Sequence, residues 1–84
     1  MYEQLDIEAE KLLDVISSNV VKIRKAKGYS QLKLATEMGY SSASYLGSIE
    51  IRKNAQHFNI RQLYKISKIL AVPIAQFFEP LKEE

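Results

Sequence analysis

Five hydroxyl side chains, Ser41, Ser42, Ser44, Tyr45 and Ser48, fall within eight residues, and the triplet Arg52-Lys53-Asn54 follows shortly after. Hydroxyls both donate and accept hydrogen bonds, while arginine, lysine and the asparagine amide donate to oxygen. That set suits recognition of phosphates and base edges. It does not suit bond breaking. A serine nucleophile needs a base that a third group orients, and His57 is the only histidine. With no cysteine in the chain, thiolate chemistry and Cys-based zinc are excluded. A lone histidine falls far short of the roughly four ligands that zinc takes, so His57 reads as a loop or interface residue. No glycine-rich phosphate loop occurs. The expectation is a non-enzyme with no catalytic residue, no metal and no cofactor.

The hydroxyl cluster needs a scaffold, and Ser30 to Glu50 supplies one. Ser30 is placed to cap a helix, its hydroxyl accepting from a free first-turn N–H. Leu34, Ala35 and Met38 recur at helical spacing. Gly39 stands where a helix end favours a left-handed residue. Beyond the turn, Leu46 and Ile49 form the stripe of a second short helix, over roughly residues 43–50, which cannot bury itself alone. Ala35 is small enough to let the two helices cross closely. Two helices joined by a tight turn are what a helix-turn-helix requires. Gly47, inside the second helix, costs about 1 kcal/mol relative to alanine, so a close approach to something else is expected there.

The rest of the 84 residues make room for one domain and one modest core. Residues 1–15 read as an acidic amphipathic extension carrying Leu5, Ile7, Leu12, Leu13 and Val15, with Asp6 as a candidate cap. Whether it breaks at Ser17-Ser18-Asn19 is open, because those residues both cap helices and sit on exposed faces. Residues 16–27 form the next helix, with Ile16, Val20 and Ile23 inward and Gly28 at its end. Residues 51–58 read as a polar loop. Asn59 caps a helix over 60–70, with Leu63, Ile66, Ser67 and Leu70 inward. Pro73 opens a fifth helix running to about Phe78. One of Phe77 and Phe78 should close the core.

Charge divides the chain. Residues 1–19 hold one lysine against five acids, residues 20–70 hold ten Lys and Arg against two acids, and residues 71–84 hold one lysine against three acids. A basic middle between acidic ends is the footprint of phosphate binding, although a lysine-rich solvated face has the same composition. The longest apolar run, Ile69 to Ala75, contains Pro73 and is far below the roughly 18 residues of a membrane span. No signal peptide is expected, since Met1-Tyr2-Glu3-Gln4 lacks a basic start and acidic residues follow. A soluble, cytoplasmic protein with no membrane partner is expected.

At this point a family resemblance emerges. Ile16, Val20, Ile23 and Arg24, then Gly28, Ser30-Gln31, Leu34-Ala35 and Gly39, then Ile49-Glu50, then Leu63, Ile66 and Leu70 together resemble the lambda-repressor-like (Cro/CI) helix-turn-helix domain over about residues 16–78. The segment Pro73 to Glu79 is similar to controller proteins of restriction–modification systems and to small phage Cro-like repressors. The resemblance implies an all-α, five-helix DNA-binding domain over residues 16–79, with the helical extension 1–15 before it and an acidic tail, 80–84, after it. It further implies a homodimeric transcriptional regulator on a pseudo-palindromic operator in double-stranded DNA. Gln31 would contact phosphate or support a base reader, and Arg24 with Glu50 would form a scaffolding ion pair. There are two departures from the family pattern. Between Gly39 and Ile49 the chain has one residue more than usual. Two residues after Glu50 the family often has glycine, where this chain has Arg52, so the loop is expected to leave the helix differently.

With Leu46 and Ile49 inward, the outward candidates for DNA contact are Ser41, Ser42, Ala43, Ser44, Tyr45 and Ser48, flanked by Gln31, Arg52, Lys53 and Asn54. None of Ser42, Ala43, Ser44, Tyr45 and Ser48 can make the bidentate arginine–guanine or glutamine–adenine contact, so shape readout and flanking cations should carry more of the specificity. Lys27 and Lys33 are further phosphate candidates. The apolar residues Ile74, Phe77, Phe78 and Leu81 exceed what the core needs, and a two-fold dimer would cover them. The acidic ends offer a contact for RNA polymerase. The other reading is an antitoxin, or another protein-binding module that uses the same fold.

Overall fold

The computed structural model describes residues 1–80. Helix α1 runs Tyr2–Ala26, α2 Gln31–Glu37, α3 Ser44–Glu50 and α4 Ile60–Leu70. Two 3-10 segments, Lys53–Ala55 and Ile74–Phe78, complete the order. Among the described residues there is no strand, and no helix is long and apolar enough to cross a membrane. Among the described residues the domain is all-α with four α-helices, and the segment expected as a fifth, Ile74–Phe78, is a 3-10 helix. Glu79, which precedes Pro80, is extended (φ −70°, ψ 138°) as the proline ring favours.

Helix α1 is continuous, which settles the question at Ser17-Ser18-Asn19. Asp6 lies inside the helix and caps nothing. Ser17 and Asn19 are buried and spend their polar groups on other elements. The Ser17 hydroxyl donates to the Ile49 carbonyl at 3.5 Å. Asn19 Nδ2 donates to the carbonyls of Phe77 and Glu79 at 2.8 and 2.7 Å, binding the end of the last segment to α1. Only the second half of α1 packs into the domain, through Ile16, Val20 and Arg24. Tyr2, Leu5, Ile7 and Leu12 all remain exposed, while Leu13 and Val15 are half-buried.

The caps fix where the short helices start. Ser30 Oγ accepts from the Lys33 amide at 3.0 Å. Asn59 and Gln62 form a reciprocal capping box at α4. Three helices end by the same device, a left-handed residue followed by a 6→1 backbone bond. The bonds are Tyr29 N to Arg24 O (3.0 Å), Tyr40 N to Ala35 O (2.9 Å) and Val72 N to Ser67 O (3.0 Å). Gly28 and Gly39 supply the left-handed residue twice, and Ala71 (φ 58°) supplies it the third time.

The core joins Ile16 and Val20 of α1 to Leu34, Ala35, Leu46, Ile49, Leu63, Ile66 and Leu70, closed by Phe77 and by Phe58. Phe58, buried in this core, qualifies the reading of residues 51–58 as a polar loop. The chain there returns to the core before α4 begins.

Candidate nucleic-acid interface

A seven-residue helix does not hold itself together in water, so α3 owes its position to its neighbours. Leu46 and Ile49 are buried. At its last residue, Glu50 accepts from Arg24 Nε at 2.8 Å and Nη2 at 3.1 Å, and from Gln31 Nε2 at 2.8 Å. Arg24 Nη1 donates to the Tyr29 carbonyl at 2.7 Å. One guanidinium thus fastens α1, the α1–α2 link and α3 together. The pair is sealed, with side chains 6% and 2% exposed, and its two-pronged geometry is the strong form of such a contact. Gln31 passes alongside Gly47 on its way to Glu50. A Cβ there would meet the Gln31 amide at 3.4–3.6 Å, an ordinary contact distance, so this neighbour does not by itself demand glycine.

The other side of α3 faces solvent. Ser41, Ser42 and Ser44 are exposed, Tyr45 is half-exposed and Ala43 is half-buried as the N-cap, with no side-chain cap bond. Ser48 is placed differently from its neighbours. Its hydroxyl sits between the Tyr45 carbonyl at 2.7 Å and Gln56 Oε1 at 3.0 Å, so its proton stays within the chain.

Arg52 is also placed otherwise than its sequence position suggested. All five of its N–H donors are taken. Nε donates to the Gln56 carbonyl at 2.9 Å, and Nη1 to the Glu10 carbonyl at 3.2 Å and Asp14 Oδ1 at 2.9 Å. Nη2 donates to Glu10 Oε2 at 2.9 Å and to the Ala55 carbonyl at 3.2 Å. The Asp14 hydrogen bond, with Glu10 behind it, holds the guanidinium pKa above its ordinary value against the opposing effect of burial. The backbone at Arg52 is left-handed (φ 56°, ψ 40°). The loop therefore leaves α3 with the turn that glycine would give, instead of by a different path. Asn54 (φ 55°) and Ala55 (φ 61°) are left-handed as well. Three such residues in four are strained, and the Arg52 side chain closes over them. Lys53 and Asn54 remain exposed.

A helix-turn-helix family model matches residues 20–77. That span takes in α2, α3 and the Arg24–Glu50 pair that fastens them. The chain belongs to the lambda-repressor-like helix-turn-helix family. No curated protein and no solved structure matches it.

Within this helix-turn-helix domain the four residues expected at a dimer face separate. Phe77 is fully buried and belongs to the core, which removes it from any interface. Its fellow Phe78 is 37% exposed. Ile74 is half-buried and packs against the core. Leu81 lies outside the described residues. Lys27 and Lys33 are exposed, Lys33 with its ammonium 4.3 Å above the Tyr29 ring. Three residues near the helix-turn-helix face carry structure that sequence reasoning missed. These are Gln56 beside Ser48, Tyr40 edge-on to Tyr45, and Gln62, which reaches both tyrosines. Only Gln62 had a local signal, the Asn-x-x-Gln spacing of a capping box.

Proposed function

We propose that this helix-turn-helix chain is a transcriptional regulator that binds a pseudo-palindromic DNA operator as a homodimer. The observation that carries the reading is the asymmetry of α3. Its inner end is locked by Glu50, Arg24 and Gln31, while the serines before it and in its first turn, with Tyr45, are left to solvent. A rigid helix presenting hydroxyls and a phenol is equipped for groove contact. Ser41, Ser42, Ala43 and Ser44 are its base-edge contacts, and Gln31, Tyr45, Lys53 and Asn54 flank them. Ser48 and Arg52 act within the chain, Ser48 by ordering Gln56 and Arg52 by ordering the loop. Phe78 and Ile74 supply the dimer face. The similarity of Pro73 to Glu79 to controller proteins and small phage repressors supports that type of regulator, and the acidic first turns of α1 suit a polymerase contact.

Selection of bound duplexes from a random pool tests this. The expected product is an inverted repeat with half-sites about 34 Å apart. No enrichment at low salt would overturn the reading. One observation favours a second, antitoxin-like reading. Tyr2, Leu5 and Leu12 leave an apolar stripe on the acidic half of α1 that nothing in the domain covers. A chain that enriches no duplex but co-purifies with a defined toxin would replace the first reading with this one.

A further inference from the structure

Gln62 is a buried amide on the first turn of α4, and its orientation is fixed from one side. Its Oε1 accepts from the Asn59 backbone N–H at 2.9 Å. Its Nε2 therefore points the other way, where it lies 3.1 Å from the Tyr40 hydroxyl and 3.3 Å from the Tyr45 hydroxyl. An amide nitrogen only donates, so both phenol oxygens must accept. Each phenol proton is then left to donate elsewhere, and neither has an acceptor among the described residues. The two rings brace one another edge to face, with centroids 5.2 Å apart at 76°. Beside them lies a shallow hollow lined by Gly39, Tyr40, Ser41, Ser42 and Tyr45.

We infer that Tyr40 and Tyr45 form a two-donor clamp for a DNA phosphodiester oxygen and that Gln62 is the positioning residue that turns both protons outward. This deepens, and rests on, the DNA-binding reading. The clamp lies immediately before and within the first turn of α3, so it borders the groove that α3 would enter. A phosphodiester oxygen is an acceptor only, which is the partner that two outward O–H donors require. Tyrosine is among the side chains that donate to phosphate. The clamp is uncharged, so it adds affinity without releasing counterions.

Gln62→Glu inverts the device at nearly constant shape. A carboxylate still accepts from Asn59 N–H, and acids suit the first turn of a helix. Its other oxygen now accepts from the tyrosines and draws their protons inward. The test is a cycle between Gln62→Glu and the Tyr40→Phe/Tyr45→Phe pair. Affinity is measured on a duplex of about 30 base pairs of arbitrary sequence at low salt, since phosphate contacts do not depend on sequence. Thermal unfolding confirms that each variant folds. The phenylalanine pair should bind about ten-fold more weakly, the size of two modest neutral hydrogen bonds, with an unchanged salt slope. The added negative charge weakens both backgrounds equally and cancels in the cycle. Gln62→Glu should therefore cost about five-fold more with the tyrosines present than with the phenylalanines. If it costs the same in both backgrounds, the clamp is overturned while DNA binding stands. If the unaltered chain binds no duplex at low salt, the clamp falls together with the DNA-binding reading.

Discussion

Two arginines bracket α3, and they show opposite ways of using the same side chain. Arg24 lies beneath α3, sealed from water, and meets Glu50 across the core. Arg52 lies just past the end of α3, 11% exposed, and meets Glu10 and Asp14, whose side chains are 53% and 65% exposed. The first joins elements that the core already brings together. The second joins a strained loop to a part of α1 that otherwise extends past the domain. Burial makes the first pair expensive to break. Solvent makes the second pair cheap, and its worth is conformational. It sets where the left-handed loop sits relative to α1.

The largest expected effect comes from breaking the inner pair on one side only. Glu50→Ala leaves Arg24 buried without its carboxylate and also frees Gln31. It should lower stability to urea by about 3–5 kcal/mol, as is usual when one member of a buried pair is removed. Replacing both partners, Arg24→Met with Glu50→Leu, should recover most of that loss, because no buried charge remains. If Glu50→Ala costs less than about 1 kcal/mol, the inner clasp is no stronger than the outer one and the comparison collapses.

The outer clasp should respond differently on two counts. Arg52→Ala should cost at most about 1 kcal/mol, because its partners are solvated, and the cost should shrink in about 1 M salt, where the Debye length falls to roughly 3 Å. The Glu50→Ala loss should persist in the same salt. In duplex binding, Arg52→Ala should leave the dependence of log affinity on log salt unchanged, since its donors are already occupied. Lys53→Ala, by contrast, should shorten that slope by about 0.9. A flattened slope for Arg52→Ala would return Arg52 to the DNA backbone and show that Glu10 and Asp14 release it.

What the sequence revealed was local. Ser30, Asn59, Gly28 and Gly39 each act within a few residues of themselves, and their caps and turns stand where spacing put them. The inward stripes of α2, α3 and α4 were legible for the same reason. The Arg24–Glu50 pair joins residues 26 apart and came from family resemblance, since no spacing rule links the two. Arg52 misled because its acids lie 38 and 42 residues upstream, and sequence position alone aimed it at DNA. Phe77 and Phe78 look equivalent in a string. Asn19, holding the carbonyls around them from α1, fixes the turn in which Phe77 points inward and Phe78 stays half outside. Tyr40, Tyr45 and Gln62 converge from three elements, which no pattern within one element can show.

Ala71 was the least legible of the helix ends, and it separates strain from clasp. It ends α4 in the left-handed conformation (φ 58°, ψ 47°) with the same 6→1 bond that Gly28 and Gly39 support. Alanine pays about 1–2 kcal/mol to sit there, and no side chain holds it as Arg52 holds its own loop. Ala71→Gly removes that strain but gives the unfolded chain more freedom, worth about 0.4–1 kcal/mol in the other direction. The net expectation is a small gain, about 0.5 kcal/mol, read as a higher urea midpoint with an unchanged slope. The analogous change beyond α3, Arg52→Gly, relieves similar strain but loses the clasp, so it should be less favourable than Ala71→Gly by the worth of the ion pairs. Equal effects at the two positions would mean that the clasp contributes nothing and that Arg52 endures its conformation as Ala71 does, unaided.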